Sequence, residues 1–236
     1  MPVVLVVLVV GLGAGAMLWV GRCFRHSVGW NANPYVARSL RYQPLALLIG
    51  LLAVVATQLL VPDHADFLSA GDWSAPASGL TWLGVADGDS WMTVGLTFLV
   101  IMTIVTAVVI WLQFVRPQRI TLRALVRGLP WAVVFSLTNA LAEELLFRLT
   151  VTEALAPAYS VVVIAATSAI LFGVPHWLGT PGGPVGVVLA GFMGWFLAVA
   201  VVQTGGLGWA LVIHGVQDIV IFSALIARAG HREGAS

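Results

Sequence analysis

Glu143, Glu144, Arg148, His176, His214 and Asp218 are ionisable side chains set inside long apolar runs. Carboxylates and imidazoles are the groups that trade protons with water near neutral pH. Their spacing sharpens the reading. Glu144 and Arg148 are four residues apart, one above the other on a helix face, where they can pair as ions. Glu143 is rotated about 100° from Glu144 and shares a face with Asn139 and Phe147. An arginine that holds Glu144 ionised leaves Glu143 for other work, and an unpaired carboxylate drawn out of water is a stronger base. His176 stands four residues after Phe172 and directly after Pro175. Proline removes a backbone hydrogen bond and bends a helix, which would turn His176 into a cavity and free the carbonyl of Leu171. His214 and Asp218 are again four apart. The aspartate can fix the tautomer and direction of the imidazole, or the pair can bind a metal.

Each residue also has a plain structural role open to it. Glu144–Arg148 can be an ion pair that only ties helices together, and a single histidine can be packing. Composition weighs against that for the whole set. The chain has 236 residues, 60% hydrophobic and 9% charged, with 11 Lys+Arg (all arginine) and 10 Asp+Glu. Its mean hydropathy is +1.00. A soluble domain carries about 25% charged residues, so a soluble enzyme, a nucleic-acid binder and a disordered chain are excluded. A charge near the centre of a bilayer costs about 3 kcal/mol on insertion scales. Two histidines, two glutamates and an aspartate persist at that cost because they pair or do work.

The elements that must position them are membrane helices. Seven apolar segments are expected, at roughly 2–20, 44–61, 91–115, 129–155, 158–177, 184–203 and 207–228. The fold class is therefore an all-α, polytopic transmembrane helix bundle of about seven spans. Residues 1–128 form an N-terminal transmembrane region of three spans and an amphipathic linker, 129–228 a four-span core, and 229–236 a cytoplasmic tail. The first span contains Gly11-Leu12-Gly13-Ala14-Gly15, which imitates a dinucleotide fingerprint. No acid follows at the required distance, and packing glycines are the better reading. Glu153, near Pro157, reads as interfacial.

Arginine placement gives orientation. Arg22, Arg25, Arg38 and Arg41 separate the first two spans, Arg116, Arg119, Arg123 and Arg127 the third and fourth, and Arg228 and Arg232 end the chain. The loop between the second and third spans holds five aspartates and no arginine. The expectation is a multi-pass plasma-membrane protein with its N-terminus outside and C-terminus cytoplasmic. Arg119, Arg123 and Arg127 share one helical face, which suggests an interfacial segment leading into the fourth span. Trp73, Trp82 and Trp91 serve either as interface anchors or as loop packing. Gly186, Ala190 and Gly194 suggest a close helix contact. The lone Cys23 forms no internal disulfide, and no internal repeat of the transporter kind is seen.

At the ionisable residues the sequence resembles a known family. Glu143-Glu144-Leu145-Leu146-Phe147-Arg148 matches its EExxxR motif, Phe172 to His176 its FxxxH, and His214 to Asp218 its HxxxN or HxxxD. This is similar to the CAAX protease and bacteriocin-processing (CPBP, or Abi) group of intramembrane endopeptidases, which includes the type II CAAX prenyl proteases. The resemblance covers roughly residues 129–228. It implies that the four-span core is catalytic and encloses an intramembrane polar cavity. It also implies that Glu143 and His176 activate a water, that His214 and Asp218 stabilise the oxyanion, and that Glu144, Arg148, Phe172 and Asn139 support the site. The prenyl-protease branch tends to carry Asn at the last position. An ionised Asp218 is a poor oxyanion donor, so Asp218 either is protonated or only orients His214. No obligatory metal is expected. A zinc ion on Glu143, His176 and His214 is the alternative, although HExxH is missing. The expected function is hydrolysis of membrane-associated proteins or peptides at the lipid bilayer, with no nucleic-acid partner. The arginine-only, Ala/Val/Gly-rich chain looks bacterial, which disfavours prenylated substrates. A proton-coupled transporter or relay, and a catalytically idle scaffold or immunity factor, remain as alternatives.

Overall fold

The computed structural model describes residues 2–24, 33–61 and 63–233, the last three as backbone alone. Arg25 and the tail from 234 lie outside the described residues, as does the side chain of Arg232. The helices are α1 (Pro2–Cys23), α2 (Pro34–Leu60), α3 (Trp91–Ile110), α4 (Leu122–Glu144), α5 (Thr150–Leu155), α6 (Val161–Gly173), α7 (Gly183–Thr204) and α8 (Gly208–Glu233). A π turn, Trp111–Val115, extends α3, and a second, Leu145–Leu149, joins α4 to α5 as one rod. A 3-10 turn, Val174–Leu178, ends α6 at Pro175. Seven of the resulting rods are long and apolar enough to cross a membrane. There is no strand among the described residues. The chain is an all-α, multi-pass membrane protein. Leu12, Leu59, Ile104, Leu137 and Val188 are exposed on its outside, as hydrocarbon-facing side chains must be.

Two spans begin earlier than expected. The second starts at Pro34, not 44, because Asn33 caps it and Pro34 occupies the first turn. The Asn33 side chain accepts from the N–H groups of Tyr35 and Val36. Pro44 lies inside the helix. Proline is tolerated there in a membrane helix where neighbours take up the freed carbonyl. The fourth starts at Leu122, capped by the Thr121 hydroxyl on the N–H of Ala124. Arg123 and Arg127 therefore belong to the spanning rod itself, while Arg119 sits in the preceding turn with φ of 51°.

α4 packs along α8, α6 along α7, α2 against α4, α1 against α2, and α3 against α8. The arginine-bearing ends meet at one end of the bundle. The Asn33 amide donates to the carbonyl of Ile226 at 2.9 Å, and the Arg228 guanidinium lies 5.2 Å from the Phe114 ring. The opposite end is covered by the loop of residues 61–90. Leu207 N–H donates to Ser69 O at 2.8 Å, and Asp72 N–H to Thr204 O at 2.7 Å. Trp91 is fully buried against Phe196, and Trp73 packs on Trp209 with ring centres 5.0 Å apart. Trp82 is exposed. Glu153 is buried, and Ala65 N–H donates to its carbonyl at 3.0 Å as the loop folds over it. An ideal Cβ on Gly194 would lie 3.0 Å from the Ser168 carbonyl oxygen and 3.2 Å from the Phe172 Cβ. Glycine suits this close approach of α7 to α6 beside Phe172.

Candidate active site

α4 meets α8 through three rungs of polar contact on one face. The Ser136 hydroxyl donates to the carbonyl of Gly215. The Asn139 amide donates to Asp218 Oδ2 at 3.0 Å. Glu143 and Glu144 then reach His214. Positions 136, 139 and 143 fall on one stripe of a helix, so the seam follows from helical periodicity.

His214 stands at the centre. Its Nδ1 lies 2.7 Å from Glu144 Oε1, and its Nε2 lies 3.5 Å from Glu143 Oε2 and 3.7 Å from Asp218 Oδ2. A carboxylate oxygen accepts, so Nδ1 carries the proton given to Glu144. Glu144 is thus the residue that holds the imidazole, reached from another helix. Asp218, one turn away on the same helix, faces the other nitrogen. Glu144 Oε2 is 3.3 Å from Arg148 Nε, and both residues are fully buried. The Arg148 guanidinium also sits 3.8 Å above the Phe172 ring. Stacking on an aromatic face is a common way to shelter a buried guanidinium. The π turn after Glu144 is tied to α6, since the Ser168 hydroxyl donates to the carbonyl of Phe147 at 3.1 Å. Such turns recur at functional sites.

Phe172 links the second histidine to the first. Its ring centre is 4.4 Å from that of His176 and 5.7 Å from that of His214. The Phe172 carbonyl accepts from His176 Nδ1 at 2.7 Å. In a neutral ring this leaves Nε2 with the lone pair. The carbonyl engaged by His176 at the proline bend is thus that of Phe172.

Glu143 and Glu144 are neighbours with opposite surroundings. The Glu144 side chain is 0% exposed and that of Glu143 17%. Glu143 opens, with His176, Asn139 and Asp218, onto a cavity of about 410 Å³. A smaller, more apolar arm of about 170 Å³ leaves the same two residues between Ala14, Phe147 and Pro175. The structure therefore brings Glu143, His214, Asp218, Asn139 and Glu144 into direct contact, and places His176 on the same cavity wall. Glu143 and Glu144 lie on the 34-residue rod Leu122–Leu155, and His176 lies in the 3-10 ending of α6.

Among the described residues no three His, Cys, Asp or Glu side chains are grouped so as to hold a metal ion. His214 Nδ1 meets Glu144 and His176 Nδ1 meets a carbonyl, which orients both rings and leaves each Nε2 toward the site.

One part of the cavity went unread in the sequence. Tyr35, Arg38, Ser39, Tyr42 and Gln43 of α2 line it. Their spacing of three and four residues is a polar stripe on a membrane helix, and Ser39 and Gln43 are buried. Starting the span at Pro44 had cut this stripe off as loop.

Residues 124–220 match the family model described as type II CAAX prenyl endopeptidase Rce1-like. No curated protein and no solved structure matches the chain. The matched segment runs from α4 to Val220 and contains Glu143, Glu144, Arg148, His176, His214 and Asp218. Over that segment, about two-fifths of the chain, the sequence is similar to the CAAX protease and bacteriocin-processing family of membrane proteases.

Proposed function

We propose that the chain is an intramembrane endopeptidase that hydrolyses membrane-associated peptides or proteins with a water activated by Glu143 and His176. One observation carries this reading. Glu143 is the single carboxylate of its adjacent pair that opens to the cavity, and His176, with Nε2 as its acceptor, shares that wall. Glu143 takes the proton as water attacks the scissile carbonyl. His214 is oriented through Nδ1 by Glu144, so its Nε2, when protonated, donates to the developing oxyanion. Asn139 has a second amide N–H beyond the one given to Asp218. It supplies a neutral donor where an ionised Asp218 would supply none. The proton held by Glu143 then passes to the leaving amine.

The arginine-bearing end is assigned to the cytoplasm of a plasma-membrane protein. Arg22 and Arg38 line the cavity, so substrate enters from that side. Purified protein in detergent with a quenched peptide library tests the assignment. Cleavage that is lost in both Glu143→Gln and His176→Ala is the expected result. Unchanged cleavage in either variant removes that residue from the mechanism. Proton flux in liposomes that depends on Glu143, without peptidase activity, would replace the enzyme with a relay.

A further inference from the structure

Arg22 at the end of α1 and Arg38 in the second turn of α2 line the same cavity as Glu143, His176 and Asp218. Both lie outside the segment that matches the family model. An arginine that enters a cavity from a membrane helix needs a counter-charge or an aromatic face. Arg38 is half-buried and lies 5.0 Å from the centre of the Tyr35 ring. One ring does not use up five N–H donors in a planar fork. Among the described residues no carboxylate comes within 4 Å of Arg22 or Arg38. The intervening residues 25–32 contain no Asp or Glu at all. The acids of the cavity, Glu143 and Asp218, are instead engaged with His214 and Asn139. The cavity is therefore polarised, with carboxylates at the α4–α8 seam and guanidinium groups toward the arginine end. Ser39, Gln43 and Thr180 line the space as well.

We propose that Arg38, with Arg22 at the rim, forms a carboxylate-reading subsite for the substrate. It binds a carboxylate of the peptide, at a chain end or on an acidic side chain, and so fixes the direction of the chain relative to Glu143. The Arg38 fork matches a carboxylate in two parallel hydrogen bonds. Tyr35 holds the plane of that fork. The apolar arm between Ala14, Phe147 and Pro175 also opens at Glu143 and takes an apolar residue. A lipid phosphate is disfavoured as the ligand because Arg38 faces the cavity that contains Glu143 rather than the lipid-facing side of α2. The subsite rests on the endopeptidase reading, but its test does not depend on turnover.

The test is equilibrium binding to full-length Glu143→Gln protein in neutral detergent. The probes are dansyl-labelled heptapeptides of Ala, Leu and Val in three forms: free C-terminus, C-terminal amide, and amide with one internal Glu. The two charged peptides should bind about tenfold tighter than the neutral amide, the scale of a charge-assisted hydrogen bond. Arg38→Gln should erase the preference, and Arg38→Lys should keep only part of it. Equal binding of all three, no binding of any, or a preference that survives Arg38→Gln overturns the proposal. If phosphatidylglycerol abolishes the charge preference in the parent but leaves Arg38→Gln unaffected, the subsite belongs to a lipid headgroup and the assignment to substrate is overturned. Cleavage by the unmodified protein with no carboxylate preference would leave the endopeptidase standing and remove the subsite alone.

Discussion

The two ends of the bundle solve the same problem in different ways. At the end covered by residues 61–90, polar groups are matched to backbone. Gln203 takes the Trp91 indole N–H at 3.0 Å and the Ser78 N–H at 3.1 Å, and donates to the Ser78 carbonyl at 2.8 Å. Trp73 and Trp209 fill the space between. Asp66, Asp72, Asp87 and Asp89 accept backbone N–H groups of the loop itself. In the α4–α8 seam the polar groups are acids, imidazoles and one guanidinium, and part of the set is turned toward open space. A buried polar group stabilises only when its partners are complete. The covered end is largely matched, with Glu153 Oε1 a buried oxygen there that has no hydrogen-bond partner among the described residues, and it serves as a lid on the bundle. The seam is completed by Arg148 on one side only, and Glu143 is left opening onto the cavity, as the proposed general base requires.

The largest effect that would break this contrast concerns Glu143. Loss of a general base costs about 10²–10⁴ in rate. Glu143→Gln should therefore lower peptide cleavage by at least about a hundredfold, while its melting midpoint in detergent stays close to that of the parent. Glu144→Gln should do the reverse in stability. It leaves Arg148 buried beside a neutral amide, and breaking one partner of a buried ion pair costs about 3–5 kcal/mol. Equal melting midpoints for the two adjacent variants would show that Glu144 is not the structural member of the pair.

At the covered end the expected losses are smaller and confined to stability. A Cβ on Gly206 would meet the Gly71 nitrogen and would lie 2.6 Å from the Ser69 carbonyl oxygen. Gly206→Ala should cost about 1–3 kcal/mol, as other overpacked sites do. Cleavage rate per folded molecule should not change. Gln203→Ala removes the bonds to Trp91 and Ser78 and should cost about 1–2 kcal/mol, read from the same melting curves. A large drop in turnover from either variant would show that the two ends are coupled, and the contrast would need to be redrawn.

Much of the site was legible because its periodicity is local. Glu144 and Arg148 are a helical i,i+4 pair, and their contact needs nothing beyond one helix. The split between Glu143 and Glu144 also follows from the turn of the helix. The role of Asp218 was not legible. Spacing offered it to His214, whereas the structure gives His214 Nδ1 to Glu144 and Asp218 to Asn139. A choice among three carboxylates around one imidazole is made by how two helices pack, and sequence spacing carries no term for that. The α2 stripe was hidden for a different reason. Pro44 has the appearance of a helix start, and only Asn33 capping and the packing against α4 keep the helix continuous through it.

The sequence by itself determined that this is a membrane helix bundle, because apolar runs of spanning length admit no other satisfied backbone. It also determined which few residues bear the cost of charge there. The tertiary structure decided which of them meet. It closed α4 on α8, bent α6 at Pro175 to bring His176 to the wall, and set Arg38 in the same cavity as Glu143. Those are contacts between residues up to about two hundred positions apart, fixed by the shape of packed side chains rather than by any pattern along the chain.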